Sequence, residues 1–195
     1  MKIARVCIYC GSSAGTHPAH RVAAAELGTA LAQAGIGVVY GGASVGLMGE
    51  VANAALAAGG EVTGVIPKSL VDRELAHTSL TKLEITASMH ERKARMAELS
   101  DAFVALPGGV GTMEEIFEVW TWAQLGIHEK PCALFDVAGY YHHLVQFLDH
   151  QHNEGFVRDR HRKMLILASS PAELIARLEG YEAPEVKKWL GAQEI

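Results

Sequence analysis

Glu114 and Glu115 are adjacent carboxylates set directly behind a glycine-rich stretch, Pro107-Gly108-Gly109-Val110-Gly111-Thr112-Met113. Carboxylates can stabilise a developing cation or take a proton from water. Glycines let backbone amides approach an anion, and the first amides of a following helix point at it. Acids beside an anion cradle suggest chemistry on a phosphorylated substrate rather than phosphate storage. A third candidate is Arg92, in the helix-like stretch Met89-His90-Glu91-Arg92-Lys93-Ala94-Arg95-Met96. Met89, Met96 and Leu99 form one stripe at helical spacing, and Arg92 falls on it. An arginine on an inward face must meet an anion, because burying it unpaired is very costly. The anion is either a structural partner or a substrate or catalytic carboxylate. Lys93 and Arg95 project off the stripe and read as a solvated face, with Lys93 close enough along the chain to share a phosphate. Glu115 also has a structural reading: Thr112-Met113-Glu114-Glu115 spells T-x-x-E, a capping box in which Thr112 caps the helix and Glu115 reaches back. Glu114 and Glu118 would then be acids at the positive end of the helix dipole. Residue types alone leave both readings open.

These residues need a frame. The apolar run 102–106 reads as a buried strand delivering the glycine stretch, and Met113, Ile116, Phe117 and Trp120 mark one face of the helix that follows. Further strands are expected at 3–9, 37–40, 62–66, 132–135 and 164–167, and helices near 17–34, 46–58, 88–99, 112–125, 140–151 and 171–178. Strand–helix alternation of this kind predicts an α/β fold, a parallel sheet with helices on both faces. Ligands bind such sheets at the carboxyl ends of the strands, near a topological switch point. Three expected strand ends carry glycine turns: Cys10-Gly11-Ser12-Ser13, the run from Tyr40-Gly41-Gly42 to Gly49, and Pro107 to Thr112. Three turns converging on one sheet edge suit a nucleotide-sized ligand. None follows the first strand as G-x-G-x-x-G, and no G-x-x-x-x-G-K-[ST] is present, which argues against dinucleotide and P-loop readings. The segment 67–81 is the least regular and reads as a loop over the site. From Tyr181 onward the chain reads as a peripheral helix or a partly ordered end.

The 195 residues suit a single domain spanning 1–195, with enough chain for a sizeable core. A composition of 49% hydrophobic and 20% charged residues is that of a globular protein, and a formal charge of −5 without like-charge blocks offers no nucleic-acid groove. Neither a signal peptide nor a bilayer-length apolar run is evident, so the expected location is the cytoplasm, away from membranes. Three cysteines do not make a disulfide framework. Cys7 and Cys10 lie three apart on a strand, facing opposite ways, so C-x-x-C redox chemistry is not expected. The ten histidines include a cluster at His142, His143, His150 and His152, but no metal-ligand spacing appears, and no metal is expected.

Taken together, P-G-G-x-G-T-x-E-E at Pro107 to Glu115, G-G-x-x-x-G-L-M-G at Gly41 to Gly49, and M-H-x-R-K at Met89 to Lys93 resemble the LOG family. These are the cytokinin riboside 5′-monophosphate phosphoribohydrolases, long labelled lysine decarboxylases. The resemblance runs from the first strand to at least Pro131 and departs at Ala43, where many members have a third glycine. It implies a Rossmann-like three-layer sandwich and a homodimer with its site near the subunit interface. It also implies hydrolysis of the N-glycosidic bond of a purine nucleoside 5′-monophosphate (N6-modified adenine or plain AMP) to free base and ribose 5-phosphate, without cofactor. By the motif match Arg92 and Glu115 are the catalytic pair. Gly108, Gly109, Val110, Gly111 and Thr112 are the phosphate cradle, and Lys93, Met113 and Glu114 are substrate contacts. Glu74 and Thr121 follow on looser alignment, and Gly11, Ser12 and Gly42 are the contacts expected from the other two turns. A pyridoxal-dependent decarboxylase would need a Schiff-base lysine, and none stands in an evident setting. The rival reading is a Rossmann-like module that senses nucleotides without cleaving them.

Overall fold

The computed structural model describes residues 2–71 and 76–186. Along the chain run β1 (Arg5–Tyr9), α1 (Ala19–Gln33), β2 (Gly37–Tyr40), α2 (Gly46–Ala57), β3 (Val62–Pro67), α3 (Lys68–Val71), β4 (Lys82–Thr86) and α4 (Met89–Leu99). There follow β5 (Ala102–Ala105), α5 (Val110–Gln124), β6 (Cys132–Phe135), α6 (His142–Asn153), α7 (Asp159–Arg162), β7 (Leu165–Ala168) and α8 (Pro171–Glu179). The seven strands form one parallel sheet in the order β4-β3-β2-β1-β5-β6-β7. The chain winds outward from β1 to β4, returns to place β5 on the other side of β1, and winds outward again. The switch point therefore lies between β1 and β5, where a crevice opens at the carboxyl ends.

The inner strands read as near-continuous apolar runs because both faces of the sheet are covered. Val6 and Ile8 face a core shared with Leu27 and Leu31 of α1, Val51 of α2 and Leu174 of α8. Cys7 and Tyr9 face a second core with Met96 of α4, Ile116 and Trp120 of α5 and Leu148 of α6. Each fully buried side chain of this size contributes roughly 1.5–3 kcal/mol. Cys7 and Cys10 accordingly sit in different cores, and burial pushes the Cys7 thiol up to about 12, which makes it inert.

Two stretches differ from expectation. The segment 67–81 is not simply a loop: β3 continues to Pro67 and α3 follows at once. Beyond it lies a strand the hydrophobic pattern did not mark, β4, with the sequence Lys-Leu-Glu-Ile-Thr. It pairs only with β3 at the sheet edge, so it is mostly exposed and alternates polar with apolar instead of running apolar. Its Glu84 is held by Arg95 of α4 at 2.7 Å. In addition, residues 181–186 are not helical.

Candidate active site

Arg92 reaches its place because α4 starts where Ser88 caps it, its Oγ accepting from Glu91 N at 3.1 Å. That start turns Arg92 and Met96 inward; both are buried. The guanidinium crosses the carboxyl ends of β2 and β3. Its Nε donates to the Val65 carbonyl at 3.1 Å, and its Nη1 pairs with Glu115 Oε1 at 3.1 Å. Gly41, the first residue after β2, is what leaves room: a Cβ there would collide with Arg92 Nη2. Both charged side chains are nearly buried, 11% exposed for Arg92 and 12% for Glu115. Burial raises the Glu115 pKa above the usual carboxylate range, against the opposing pull of Arg92. The result is a carboxylate that is more basic than a surface glutamate yet held ionisable by its partner, as general-base work requires.

The glycine stretch leaves β5 and enters α5 with Gly109 as N-cap. Thr112 is therefore inside the helix and buried, and Glu115 is beyond reach of the N-terminus, so the capping-box reading of Thr112 and Glu115 is wrong. The helix begins earlier than the T-x-x-E pattern suggested because Gly108 packs tightly. A Cβ on Gly108 would collide with Thr112 Oγ1 and come within 2.9 Å of Gly11 N. The first intrahelical bond is Met113 N to Gly109 O, at 3.2 Å. Among the described residues, the amides of Gly109, Val110, Gly111 and Thr112 have no protein acceptor. A Cβ on Gly109 or Gly111 would meet nothing within 4 Å, so the space over these amides is open.

A cavity of about 230 Å³ joins the two halves, with Gly11 and Ser12 after β1, Gly109, Gly111 and Thr112 of the cradle, and Arg92, Glu114 and Glu115 on its walls. Leu70 of α3 also lines it, so part of the expected overlying loop does reach the site. Met48, Met89 and Met96 complete its apolar side; methionines at helical spacing gave no signal beyond that of core residues. The remaining expected residues stand apart. Lys93 is not on a solvated face. It is buried, with Nζ 2.6 Å from Glu114 and 2.9 Å from Glu118, and these bonds outweigh the lowering effect of burial to raise its pKa. It locks α4 to α5 beside the Arg92–Glu115 pair. Val110 points outward, 86% exposed, and Met113 packs against the second core. Thr121 is exposed and donates to Phe117 O at 2.7 Å. Gly42, at φ 79°, packs against Ile66 and Leu83 and does not line the cavity. Glu74 lies outside the described residues. No group of histidine, cysteine and acidic side chains suited to a metal occurs among the described residues.

Comparison with solved structures supports the class. The molybdenum cofactor binding protein from Rippkaea orientalis superposes with a TM-score of 0.68 at 20% identity, over 92% of this chain and 97% of that one. The molybdenum cofactor carrier protein from Chlamydomonas reinhardtii gives 0.66 at 21%, over 91% and 97%. At such identities the likeness is one of architecture: this is a Rossmann-like α/β protein, with its crevice at the β1–β5 switch point.

Sequence comparison is finer. A family model described as "Possible lysine decarboxylase" matches residues 48–178. Cytokinin riboside 5′-monophosphate phosphoribohydrolase LOG1 of Arabidopsis thaliana is 49% identical over 92% of this chain and 84% of its own. The probable enzyme of the same description, LOGL2, of Oryza sativa subsp. japonica is 50% identical over 94% and 75%. The chain belongs to the LOG family of phosphoribohydrolases.

Proposed function

We propose that this chain hydrolyses the N-glycosidic bond of a purine nucleoside 5′-monophosphate, releasing free base and ribose 5-phosphate. The observation that carries the reading is the Arg92–Glu115 pair facing free cradle amides across one small cavity. The amides of Gly109 to Thr112 would hold the 5′-phosphate, using binding energy remote from the reacting bond to orient the ribose. Breaking C1′–N9 builds positive charge on the ribose, as in glycoside hydrolysis. Glu115 would stabilise that cation and take a proton from the attacking water, whose oxygen bonds to C1′ as the C1′–N9 bond breaks; the proton then passes from Glu115 to the departing base, so the carboxylate is restored. Arg92 aims Glu115 and opposes the rise in its pKa that burial causes. The family model's description finds no support at Lys93: two carboxylates keep this ammonium protonated, whereas an amine nucleophile must shed its proton.

Roughly 300–1,000 Å³ is usual for a pocket that encloses its ligand. The cavity here is smaller, about 230 Å³, which suits ribose 5-phosphate and leaves the base toward the rim. Met89, which lines the cavity, is an exposed apolar side chain, and so is Val110, between the cradle residues Gly109 and Gly111. A second copy packed over them would wall the base end, which supports a homodimer; a monomer mass in light scattering would refute it. Among the described residues no helix is long and apolar enough to cross a membrane; a cytoplasmic location is our proposal. The test of function is to incubate purified protein with AMP and with N6-isopentenyladenosine 5′-monophosphate and to resolve the products by chromatography. Free base with equimolar ribose 5-phosphate supports the hydrolase, and the rate ratio names the preferred base. Intact nucleotide in both reactions refutes it.

A further inference from the structure

The cradle is built from three glycines in five residues, and such a stretch does not hold one conformation by itself. Three consecutive carbonyls behind it are nevertheless tied down. Tyr141 Oη donates to Leu106 O at 2.6 Å, Gly11 N donates to Pro107 O at 3.1 Å, and Tyr140 Oη donates to Gly108 O at 2.5 Å. A trans peptide is planar, with its C=O and the next N–H pointing in opposite directions. Fixing the Gly108 carbonyl toward Tyr140 therefore turns the Gly109 N–H the other way, toward the open side of the loop. Fixing Pro107 O does the same for the Gly108 N–H.

The tyrosines are themselves held by a strained turn. Ala138 has φ 53°, the one non-glycine residue in the left-handed region among the described residues, and Gly139 follows at φ 72°. Asp136 Oδ1 accepts from Tyr141 N at 2.8 Å, Val137 O from Tyr140 N at 3.1 Å, and Gly139 O from His142 N at 3.0 Å. The Tyr140 ring stands edge-on to Tyr141 at 5.0 Å and to His20 of α1 at 5.8 Å. Backbone strain of this kind persists where surrounding contacts over-determine it, and here it delivers two hydroxyls to one loop. Tyr141 is buried and serves the strand end; Tyr140 is 44% exposed.

We propose that Tyr140 is a positioning residue for phosphate recognition: its hydroxyl holds the Gly108–Gly109 peptide so that the cradle amides face the ligand's 5′-phosphate. The inference rests on the phosphate-cradle reading above. The test compares wild type with Tyr140→Phe, which keeps the ring and removes only the hydroxyl. Two quantities are read: KM for N6-isopentenyladenosine 5′-monophosphate and the competitive inhibition constant of the unphosphorylated nucleoside. The expected result is a rise in KM of about 3- to 10-fold, the scale of one hydrogen bond. The nucleoside's inhibition constant, kcat and melting temperature should stay near wild type. His20→Ala, which removes a ring neighbour but no hydroxyl, should leave the nucleotide-to-nucleoside ratio unchanged. Equal weakening of both ligands in Tyr140→Phe, an unchanged KM, or a lowered ratio in His20→Ala overturns the inference. If wild type itself does not favour nucleotide over nucleoside, the phosphate-cradle reading falls first and this inference with it.

Discussion

Replacing Glu115 by glutamine separates a catalytic carboxylate from a structural one. The amide keeps the size of the side chain and can still accept from Arg92 Nη1, which now stands 3.1 Å from Oε1. What disappears is the charge. A carboxylate about 4 Å from a unit positive charge is worth about 4 kcal/mol in a partly solvated protein site. Since each 1.36 kcal/mol is about tenfold in rate, losing that attraction in the transition state should cut kcat roughly a thousandfold. Loss of general-base action falls in the same ~10²–10⁴ range, so the two roles are not to be summed. KM should move little, because in the proposed complex the cradle amides, not Glu115, hold the phosphate. Stability feels two opposing effects. Arg92 loses its counter-ion but keeps the Val65 carbonyl, while the cavity no longer has to desolvate a carboxylate. The net change should stay within about 1–2 kcal/mol, or a few degrees in melting temperature. The assay is chromatographic release of base under saturating nucleotide, with a thermal melt on the same sample. A variant that keeps kcat within about threefold of wild type, at whatever melting temperature, refutes the catalytic reading of Glu115.

Gly41→Ala should fold, because the intruding methyl meets the far end of a flexible side chain, but it displaces the Arg92 guanidinium. Activity should fall at least about tenfold, on the scale of a misplaced catalytic group, with a near-normal melt; wild-type turnover would refute the placement of Arg92. The acid limb of kcat/KM should lie above the ordinary glutamate value of about 4.3, because burial raises the Glu115 pKa. Arg92 opposes that shift, so in Arg92→Met the limb should move to still higher pH; a limb that stays or moves down would refute the assignment. Hydrogen bonds from Arg95 and then Lys82 lower Glu84 to about 2. A depressed carboxylate stabilises the fold above its unfolded pKa and loses that contribution as pH falls through the folded one, so the loss should run from about 4.5 down to about 2. Glu84→Gln should cost on the order of 1 kcal/mol at neutral pH, since the pair is partly solvated, and should flatten the acid limb of stability. An unchanged acid limb would show the pair to be idle.

The sheet was legible in the sequence because an inner parallel strand is buried on both faces and must be apolar throughout, as at Ala102 to Ala105. The edge strand β4 escaped for the opposite reason: with one neighbour and an exposed face it needs only Leu83 and Ile85 between polar residues. Arg92 was legible because an arginine on an apolar helical stripe must find an anion, and that anion is Glu115. Lys93 was not, because helical periodicity reports on one helix, whereas the acids that bury Lys93 belong to α5. The T-x-x-E pattern misled for a related reason. A capping box is a local signal, but the start of α5 is set by Gly108 against Gly11, a contact between the ends of two neighbouring strands. The same start three residues earlier frees the amides of Gly109 to Thr112 and carries Glu115 down the helix to Arg92. Had Thr112 been the cap, Glu115 would have turned its carboxylate to its own helix, and the cavity would have lost the acid that pairs with Arg92.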